Sequence, residues 1–270
     1  MPELPEVETT RRGIAPYLEG QILRCVDVRE PRLRWPVPQQ VRALRNERVG
    51  QLRRRAKYLL IEVETGQLLL HLGMSGSLRV ITNRKAPPGP HDHLDLVLAD
   101  GAVIRLTDPR RFGALLWSPA RDLHPLLERL GPEPLSTAFH GDWLYERSRK
   151  RRVPVKNFLM NQEIVVGVGN IYAQESLFRA GIHPTRAAGR IGHGRYQVLA
   201  ASLREVLEEA IDAGGTTLRD FISGDGRPGY FRQSLRVYGR AGAPCPTCAS
   251  PLRLLRQGQR STVYCPACQR

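Results

Sequence analysis

The sequence predicts an α+β protein with a strand-rich first half, a helical second half and a small metal-binding finger near its C-terminus. Three observations predict this class. Alternating apolar runs lie in the first half, a long apolar stripe at helical spacing lies in the second, and four cysteines follow in two pairs. The 270 residues are enough for two ordinary domains, each with its own core.

The first half opens with a predicted helix over residues 5–18, because acidic residues lie near its start and two arginines lie further along. Short apolar or alternating runs then predict strands. An Asp100-Gly101 pair between the last two runs is typical of a hairpin. Residues 84–90 contain three prolines and a glycine, which favours a surface loop. The predicted strands cover residues 22–28, 58–63, 68–72, 94–98 and 103–106.

The second half begins at residues 131–134, a Gly-Pro-Glu-Pro run that can continue neither periodicity. Further along, apolar residues at helical spacing predict a buried helix face, and Gly214-Gly215 ends that helix. We therefore expect domains at 1–131, 132–239 and 240–270. The stripe consists of Leu199, Leu203, Val206, Leu207, Ala210 and Ile211.

The charge distribution indicates a polyanionic partner, and nucleic acid is the commonest one. Lys and Arg number 41 against 26 Asp and Glu, a net charge of +15, and the pI is about 10.4. Residues 42–57 carry a single acid, and residues 147–156 and 241–270 carry none. Such separated stretches of one sign are typical of a surface that follows phosphates. A soluble protein that happens to be rich in arginine is the alternative.

No secretory signal and no uninterrupted apolar run of 18 residues is apparent in the sequence. We therefore expect a cytoplasmic protein that does not bind membranes. In that compartment, paired thiols hold a metal more often than they form disulfides.

Four cysteines, in two Cys-x2-Cys pairs separated by sixteen residues, have the spacing of a zinc ribbon. Four thiolates close a tetrahedron and leave no position for water, so we predict one structural Zn²⁺. Two disulfides and an iron site are the alternatives. Cys25, in an apolar run, is interpreted as core. The predicted ligands are Cys245, Cys248, Cys265 and Cys268.

The N-terminus reads Met1-Pro2-Glu3-Leu4-Pro5-Glu6. The prolines could simply start a helix. Removal of Met1 would, however, expose the secondary amine of Pro2 beside the carboxyl groups of Glu3 and Glu6, an arrangement suited to chemistry.

From this opening onward, the chain resembles the bacterial formamidopyrimidine-DNA glycosylases over its whole length. The matching segments are 2–9, 54–60, 71–76, 107–113, 165–184, 214–221 and the cysteine finger. The resemblance implies an N-terminal β-sandwich with flanking helices, a helix–two-turns–helix unit at 157–183 and a zinc-ribbon finger. It also implies excision of oxidised purines such as 8-oxoguanine from damaged double-stranded DNA, followed by strand cleavage. Endonuclease VIII-like enzymes for oxidised pyrimidines, and a non-catalytic zinc-ribbon DNA-binding protein, are the alternatives.

The resemblance also implies roles for individual residues. The nitrogen of Pro2 attacks C1′ of the damaged nucleotide, Glu3 transfers protons and Glu6 has a positioning role. Met74, Arg110 and Phe112 fill the space left by the flipped nucleotide, and residues 216–231 form a loop over the everted base. The implied catalytic residues are Pro2, Glu3, Lys57 and Arg260, and further DNA contacts are expected from His71, Lys156 and Asn170.

Overall fold

The computed structural model describes residues 2–82, 87–119, 124–215 and 234–270. The described residues form two compact units. The first contains residues up to Glu128 together with 211–215, and the second contains Arg129–Ala210 together with 234–270. The expected loop at 216–231, Met1 and residues 84–86 lie outside the described residues.

The first unit is built on eight antiparallel strands in the order β5-β7-β6-β1-β2-β3-β4-β8. The predicted helix and the five predicted strands are confirmed, and three further strands appear. The elements are α1 (Leu4–Leu18), β1 (Ile22–Val28), α2 (Gln39–Ala43), β2 (Arg45–Arg55), β3 (Tyr58–Val63), β4 (Gly66–His71), β5 (Ser77–Ile81), β6 (Asp92–Leu98), β7 (Val103–Thr107), β8 (Ala114–Pro119) and α3 (Pro125–Glu128).

Strand β2 was not predicted, because its many arginines and a register shift interrupt the alternation of apolar and polar residues. Only Glu47, Val49 and Leu52 point inward, and the register with β3 shifts between Val49 and Leu52. A shift of this kind moves the following side chains to the other face, so a simple period of two is lost.

The sheet curls around a single core. Helix α1 packs on β5 at one edge and also on β2 and β3, while α2 packs on both β1 and β8 at the other edge. Buried residues from both halves, such as Leu96 and Leu70, belong to one apolar cluster. The two halves therefore face each other as the layers of a sandwich, and the expected α+β class is confirmed.

The second unit is helical and carries the two-stranded finger. The predicted apolar stripe is confirmed as core, since all six residues are buried on one long helix. No described helix is both long and apolar enough to cross a membrane. The elements are α4 (Gly141–Ser148), α5 (Val155–Leu159), α6 (Asn170–Arg179), a 3-10 turn (Ala188–Arg190), α7 (His193–Asp212), β9 (Arg253–Gln257) and β10 (Arg260–Tyr264).

Candidate active site, metal centre and nucleic-acid interface

The N-terminal segment is buried in the first unit. Glu3 caps α1, and its backbone N–H donates to Oε2 of Glu6 at 2.8 Å, which closes a capping box. Pro2 is buried, and Glu3 and Glu6 are only 1% and 0% exposed. Chain ends are usually frayed, and buried carboxyl groups are costly without hydrogen bonds. The burial of this end therefore indicates a specific role.

Arg54 connects α1 to the turn that carries Lys57. Its Nε lies 3.2 Å from Oε2 of Glu8, and its Nη1 donates to the carbonyl of Ala56 at 3.0 Å. Burial raises the pKa of Glu8, but hydrogen bonds and charges from Arg11 and other arginines outweigh it and leave that pKa below its usual value. Glu8 is thus ionised near neutral pH, and Lys57 is held in a two-residue turn at a buried position.

His71 ends β4 opposite Tyr58, with ring centroids 4.9 Å apart. Its Nδ1 accepts the backbone N–H of Gly73 at 2.9 Å. Burial, with the charges of Lys57 and Arg34, lowers the pKa of His71 to about 4. The ring is therefore neutral near pH 7 and carries its hydrogen on Nε2, where it can donate to an anion.

Met74 and Phe112 project outward, with 38% and 42% of their surface exposed. The guanidinium of Arg110 lies 4.9 Å from the centre of the Phe112 ring, a cation–π arrangement. The three residues predicted to fill a gap in DNA are thus brought to one region. A cavity of about 570 Å³ beside them is lined by Leu33, Arg34, His71, Gly73, Met74, Arg111 and Phe112.

The loops that carry these side chains are tied together by Asp108, which is fully buried. Its carboxyl group accepts from the Ser75 hydroxyl and from the Gly113 N–H, both at 2.7 Å. Gly73 allows the close approach, because a β-carbon there would lie 2.3 Å from the carbonyl carbon of Phe112. The protruding residues therefore stand on a rigid base.

Gly215 packs directly against the capping box. Its φ is +79°, and a β-carbon there would lie 3.3 Å from Oε1 of Glu6. Gly214 has φ +76°, and a β-carbon there would meet no described atom within 4 Å. The two glycines thus share a left-handed backbone conformation but differ in what a methyl group would touch.

Gly215→Ala is expected to lower the rate of catalysis about tenfold relative to Gly214→Ala, because it displaces Glu6 and so Glu3. In both variants, alanine at a positive φ is expected to lower the free energy of unfolding by about 1–2 kcal/mol. Thermal unfolding measures the shared strain, and single-turnover kinetics measures the difference. Equal rates in the two variants would contradict the positioning role of this contact.

In the second unit, α5, α6 and the hairpin bring three predicted residues together. Lys156 is 1% exposed, and its Nζ donates to Oγ1 of Thr262 at 2.6 Å. Asn170 begins α6, and its Nδ2 donates to the Ser261 carbonyl at 3.3 Å. Arg260 is exposed, and its Nη1 lies 3.8 Å from the Met160 sulfur. Lys156 and Arg260 line one cavity of about 420 Å³.

The four predicted cysteines converge, with all Sγ atoms within 4.8 Å of one another. Cys245 and Cys268 are 3.9 Å apart, and Cys248 and Cys265 are 3.5 Å apart. A disulfide needs about 2.05 Å, so the two-disulfide alternative is wrong. Sulfurs around tetrahedral zinc, at bonds of about 2.3 Å, lie about 3.8 Å apart. The cluster fits one structural zinc ion, and Cys25 lies apart from it in β1.

Several residues of these sites were not found by sequence reasoning, because each acts on a distant part of the chain. Glu175 is an example: its buried carboxyl group accepts the backbone N–H groups of three successive residues ahead of the finger, at 2.8–3.0 Å. Burial raises its pKa despite these bonds. The missed residues are Arg34, Arg54, Asp108, Gln174 and Glu175.

Three family models match the chain. They are the formamidopyrimidine-DNA glycosylase N-terminal domain at residues 1–115, the corresponding H2TH domain at 130–222, and a zinc finger found in FPG and IleRS at 242–270. The zinc-finger match supports zinc rather than iron as the metal.

Relatives and solved structures agree with these models. The formamidopyrimidine-DNA glycosylases of Alcanivorax borkumensis and Alkalilimnicola ehrlichii are 63% and 62% identical over the full length of both chains. The MutM (Fpg) protein of Thermus thermophilus is 41% identical, with a TM-score of 0.89 over 99% of this chain and 98% of that one. Lactococcus lactis Fpg, bound to DNA with an abasic site, is 34% identical, with a TM-score of 0.91 over 99% of both. The chain therefore belongs to the formamidopyrimidine-DNA glycosylases, the base excision repair enzymes that combine DNA glycosylase and apurinic/apyrimidinic lyase activities.

Proposed function

We propose that the protein excises oxidised purines, namely 8-oxoguanine opposite cytosine and formamidopyrimidines, through a covalent intermediate on Pro2. The observation that carries this proposal is the buried N-terminal segment, in which Pro2 adjoins Glu3 and the Glu3–Glu6 capping box. We further propose that it acts as a nucleoid-associated cytoplasmic monomer on damaged double-stranded DNA.

The chemistry follows from the nature of a secondary amine. The nitrogen of processed Pro2 attacks C1′, the C1′–base bond breaks, and the base leaves with a proton. The C1′–O4′ bond then breaks as the ring oxygen takes up a proton, and the nitrogen lone pair forms a double bond to C1′. The product is a charged iminium ion, because the nitrogen has no second hydrogen to lose. This cation acidifies the C2′ hydrogens, so β-elimination and then δ-elimination release the two flanking phosphates. An α-amine with a reference pKa of about 8 is partly neutral near pH 7, as the attack requires.

Glu3 lies beside this nitrogen in the chain and is the proposed acid and base. It would protonate the sugar ring oxygen during attack and transfer protons during the eliminations. Glu6, which accepts the Glu3 N–H at 2.8 Å, keeps this segment in place. Lys57 lies in the turn between β2 and β3. It is proposed to contact the phosphates at the lesion, together with the neutral ring of His71.

A stacked nucleotide hides its C1′, so the damaged nucleotide has to leave the helix. Met74 and Phe112 are exposed apolar side chains on rigid loops, which suits insertion into the gap. Arg110, held over Phe112, offers a planar donor fork to the orphaned base. Cytosine presents acceptors to such a fork and adenine presents a donor, which supports a preference for lesions opposite cytosine.

Arg260 is the proposed phosphate contact of the finger, and Lys156 and Asn170 complete the set in the second unit. Asn170 also marks the N-terminus of α6, where backbone N–H groups favour an anion. We propose three functional domains at 1–131, 132–239 and 240–270, which is supported by the three family matches.

The test is reductive trapping. Borohydride, added to the enzyme with an 8-oxoguanine:cytosine duplex, should yield a covalent protein–DNA product. Absence of a trapped product from protein whose Met1 removal is verified by intact mass would overturn the covalent intermediate on Pro2.

A second candidate is the repair of oxidised pyrimidines, because one solved relative is a Lactococcus lactis Fpg complex with DNA that contains an oxidised pyrimidine. Matched duplexes with 8-oxoguanine or thymine glycol separate the two activities. We expect faster release of 8-oxoguanine, and a preference for thymine glycol would assign the protein to the endonuclease VIII type.

A further inference from the structure

Strand β10, which begins with Arg260, is paired on one edge with β9 and on its other edge with a side chain. That side chain is Gln174 of α6, which is only 2% exposed. Its Oε1 accepts the Val263 N–H at 2.7 Å, and its Nε2 donates to the Ser261 carbonyl at 3.2 Å. The amide therefore pairs with β10 as a neighbouring strand would.

The Ser261 carbonyl, one residue after Arg260, is the centre of a small network. It accepts from Nε2 of Gln174, from Nδ2 of Asn170 at 3.3 Å and from Nζ of Lys156 at 3.5 Å. A carbonyl oxygen has two lone pairs, so three donors saturate it. The amide of Gln174 also donates to the Asn170 carbonyl at 2.8 Å. One side chain thus joins the start of α6 to the residue that follows Arg260.

This network has a consequence for the arginine itself. The Arg260 side chain is exposed, and the point from which it leaves the protein is set by the backbone that carries it. Ordering a flexible segment when the ligand binds costs conformational entropy and weakens binding. A segment that is already ordered in the free protein avoids this cost. The backbone of β10 is ordered in this way, because β9 pairs with one edge and Gln174 with the other.

We propose that Gln174 is a positioning residue that orients Arg260, jointly with Lys156 and Asn170, as one preassembled phosphate-binding group. The proposal rests on the proposed function, in which Arg260 contacts a DNA phosphate. Gln174 itself touches no DNA and acts through the backbone of residues 261–263.

Two variants separate the halves of the amide. Gln174→Leu removes both the donor and the acceptor and leaves an apolar side chain of similar size. Gln174→Glu keeps the acceptor for Val263 but has no hydrogen for Ser261 or Asn170. Gln269→Leu is the matched control, since Gln269 is also buried and also bridges backbone groups, the Cys265 N–H and the Ile182 carbonyl, away from Arg260.

The measurement is binding to a duplex with a tetrahydrofuran abasic analogue over a range of salt concentrations, with zinc content and thermal midpoint recorded for each variant. Each phosphate contact contributes about 0.9 to the slope of log K against log salt. In both Gln174 variants we expect the magnitude of the slope to fall by up to about 0.9, the contribution of one phosphate contact. We also expect about tenfold weaker binding, with zinc retained. Gln269→Leu is expected to lower the thermal midpoint and leave the slope unchanged.

A double-mutant cycle with Arg260→Ala tests whether Gln174 acts through the arginine. The Gln174 substitutions should add no further loss of affinity in the Arg260→Ala background, whereas Gln269→Leu should be additive. If Arg260→Ala alone leaves the slope intact, the phosphate role of Arg260 fails. If Arg260→Ala reduces the slope but the Gln174 variants do not, or if all losses are additive, only the positioning role of Gln174 is overturned.

Discussion

Replacing Pro2 by glycine exchanges the secondary amine for a primary one and is expected to slow base excision by about 10²-fold or more. Glycine offers a primary amine, whose imine can lose a proton and become neutral, so the electron sink needed for elimination is weakened. It also lacks the ring that keeps the buried nitrogen in one orientation. Binding to damaged duplex should change little, because the proposed phosphate contacts lie on other residues. Single-turnover release of 8-oxoguanine and borohydride trapping measure the effect.

Pro5→Ala is the matched control for this substitution. Pro5 lies in the first turn of α1 and is buried like Pro2, but its nitrogen is part of the chain and cannot attack. A change in helix stability alone would therefore affect both variants, whereas loss of the secondary amine would affect only Pro2→Gly. Excision at the wild-type rate by Pro2→Gly would move the nucleophile elsewhere, with the amine of Lys57 as the next candidate.

Removal of zinc by a chelator is expected to abolish DNA binding and excision together. The described finger, residues 240–270, contributes only four residues to its buried apolar cluster, and two of them, Cys245 and Cys265, are themselves metal ligands. So small a core cannot hold the hairpin without the metal, whose binding contributes about 10–16 kcal/mol in isolated zinc fingers. Without zinc, the hairpin no longer presents Arg260. Zinc release, followed with a colorimetric chelator, should parallel the loss of binding.

The controls separate the metal from the thiols and from the arginine. Reductant should leave the finger intact, since no disulfide holds it. Cys25→Ser should retain zinc, because Cys25 lies in β1, apart from the cluster. Arg260→Ala should weaken DNA binding and activity together while it retains zinc. Full activity after verified loss of the metal would show that the finger folds and works without it.

The sequence already predicted much of what carries the chemistry. The zinc site was predicted because two Cys-x2-Cys turns are local structures, and each brings two thiolates to one side through a few bonds. The buried face of α7 was predicted for the same reason, since a helix repeats every 3.6 residues wherever it lies. Pro2 and Glu3 were singled out by their position at the chain start together with the family resemblance.

The supporting residues could not be predicted in this way. Arg54 donates a hydrogen bond to Glu8, 46 residues away, and Asp108 accepts one from Ser75, 33 residues away. The sequence shows that these residues are polar, but not which distant atom each one meets. The burial of Lys156 was equally hidden, because a basic stretch is most simply interpreted as a solvated surface.

The sequence alone therefore determined the groups that are proposed to react and bind: a proline amine beside two acids, a set of cations and four metal-binding thiols. Spacing of a few residues and the chemistry of each side chain are enough for that, because both are local. Only the tertiary structure decided how these groups are held. Long-range contacts such as Gln174 with β10 and Gly215 with Glu6 depend on which surfaces meet when the core closes, and no short segment of sequence contains that information.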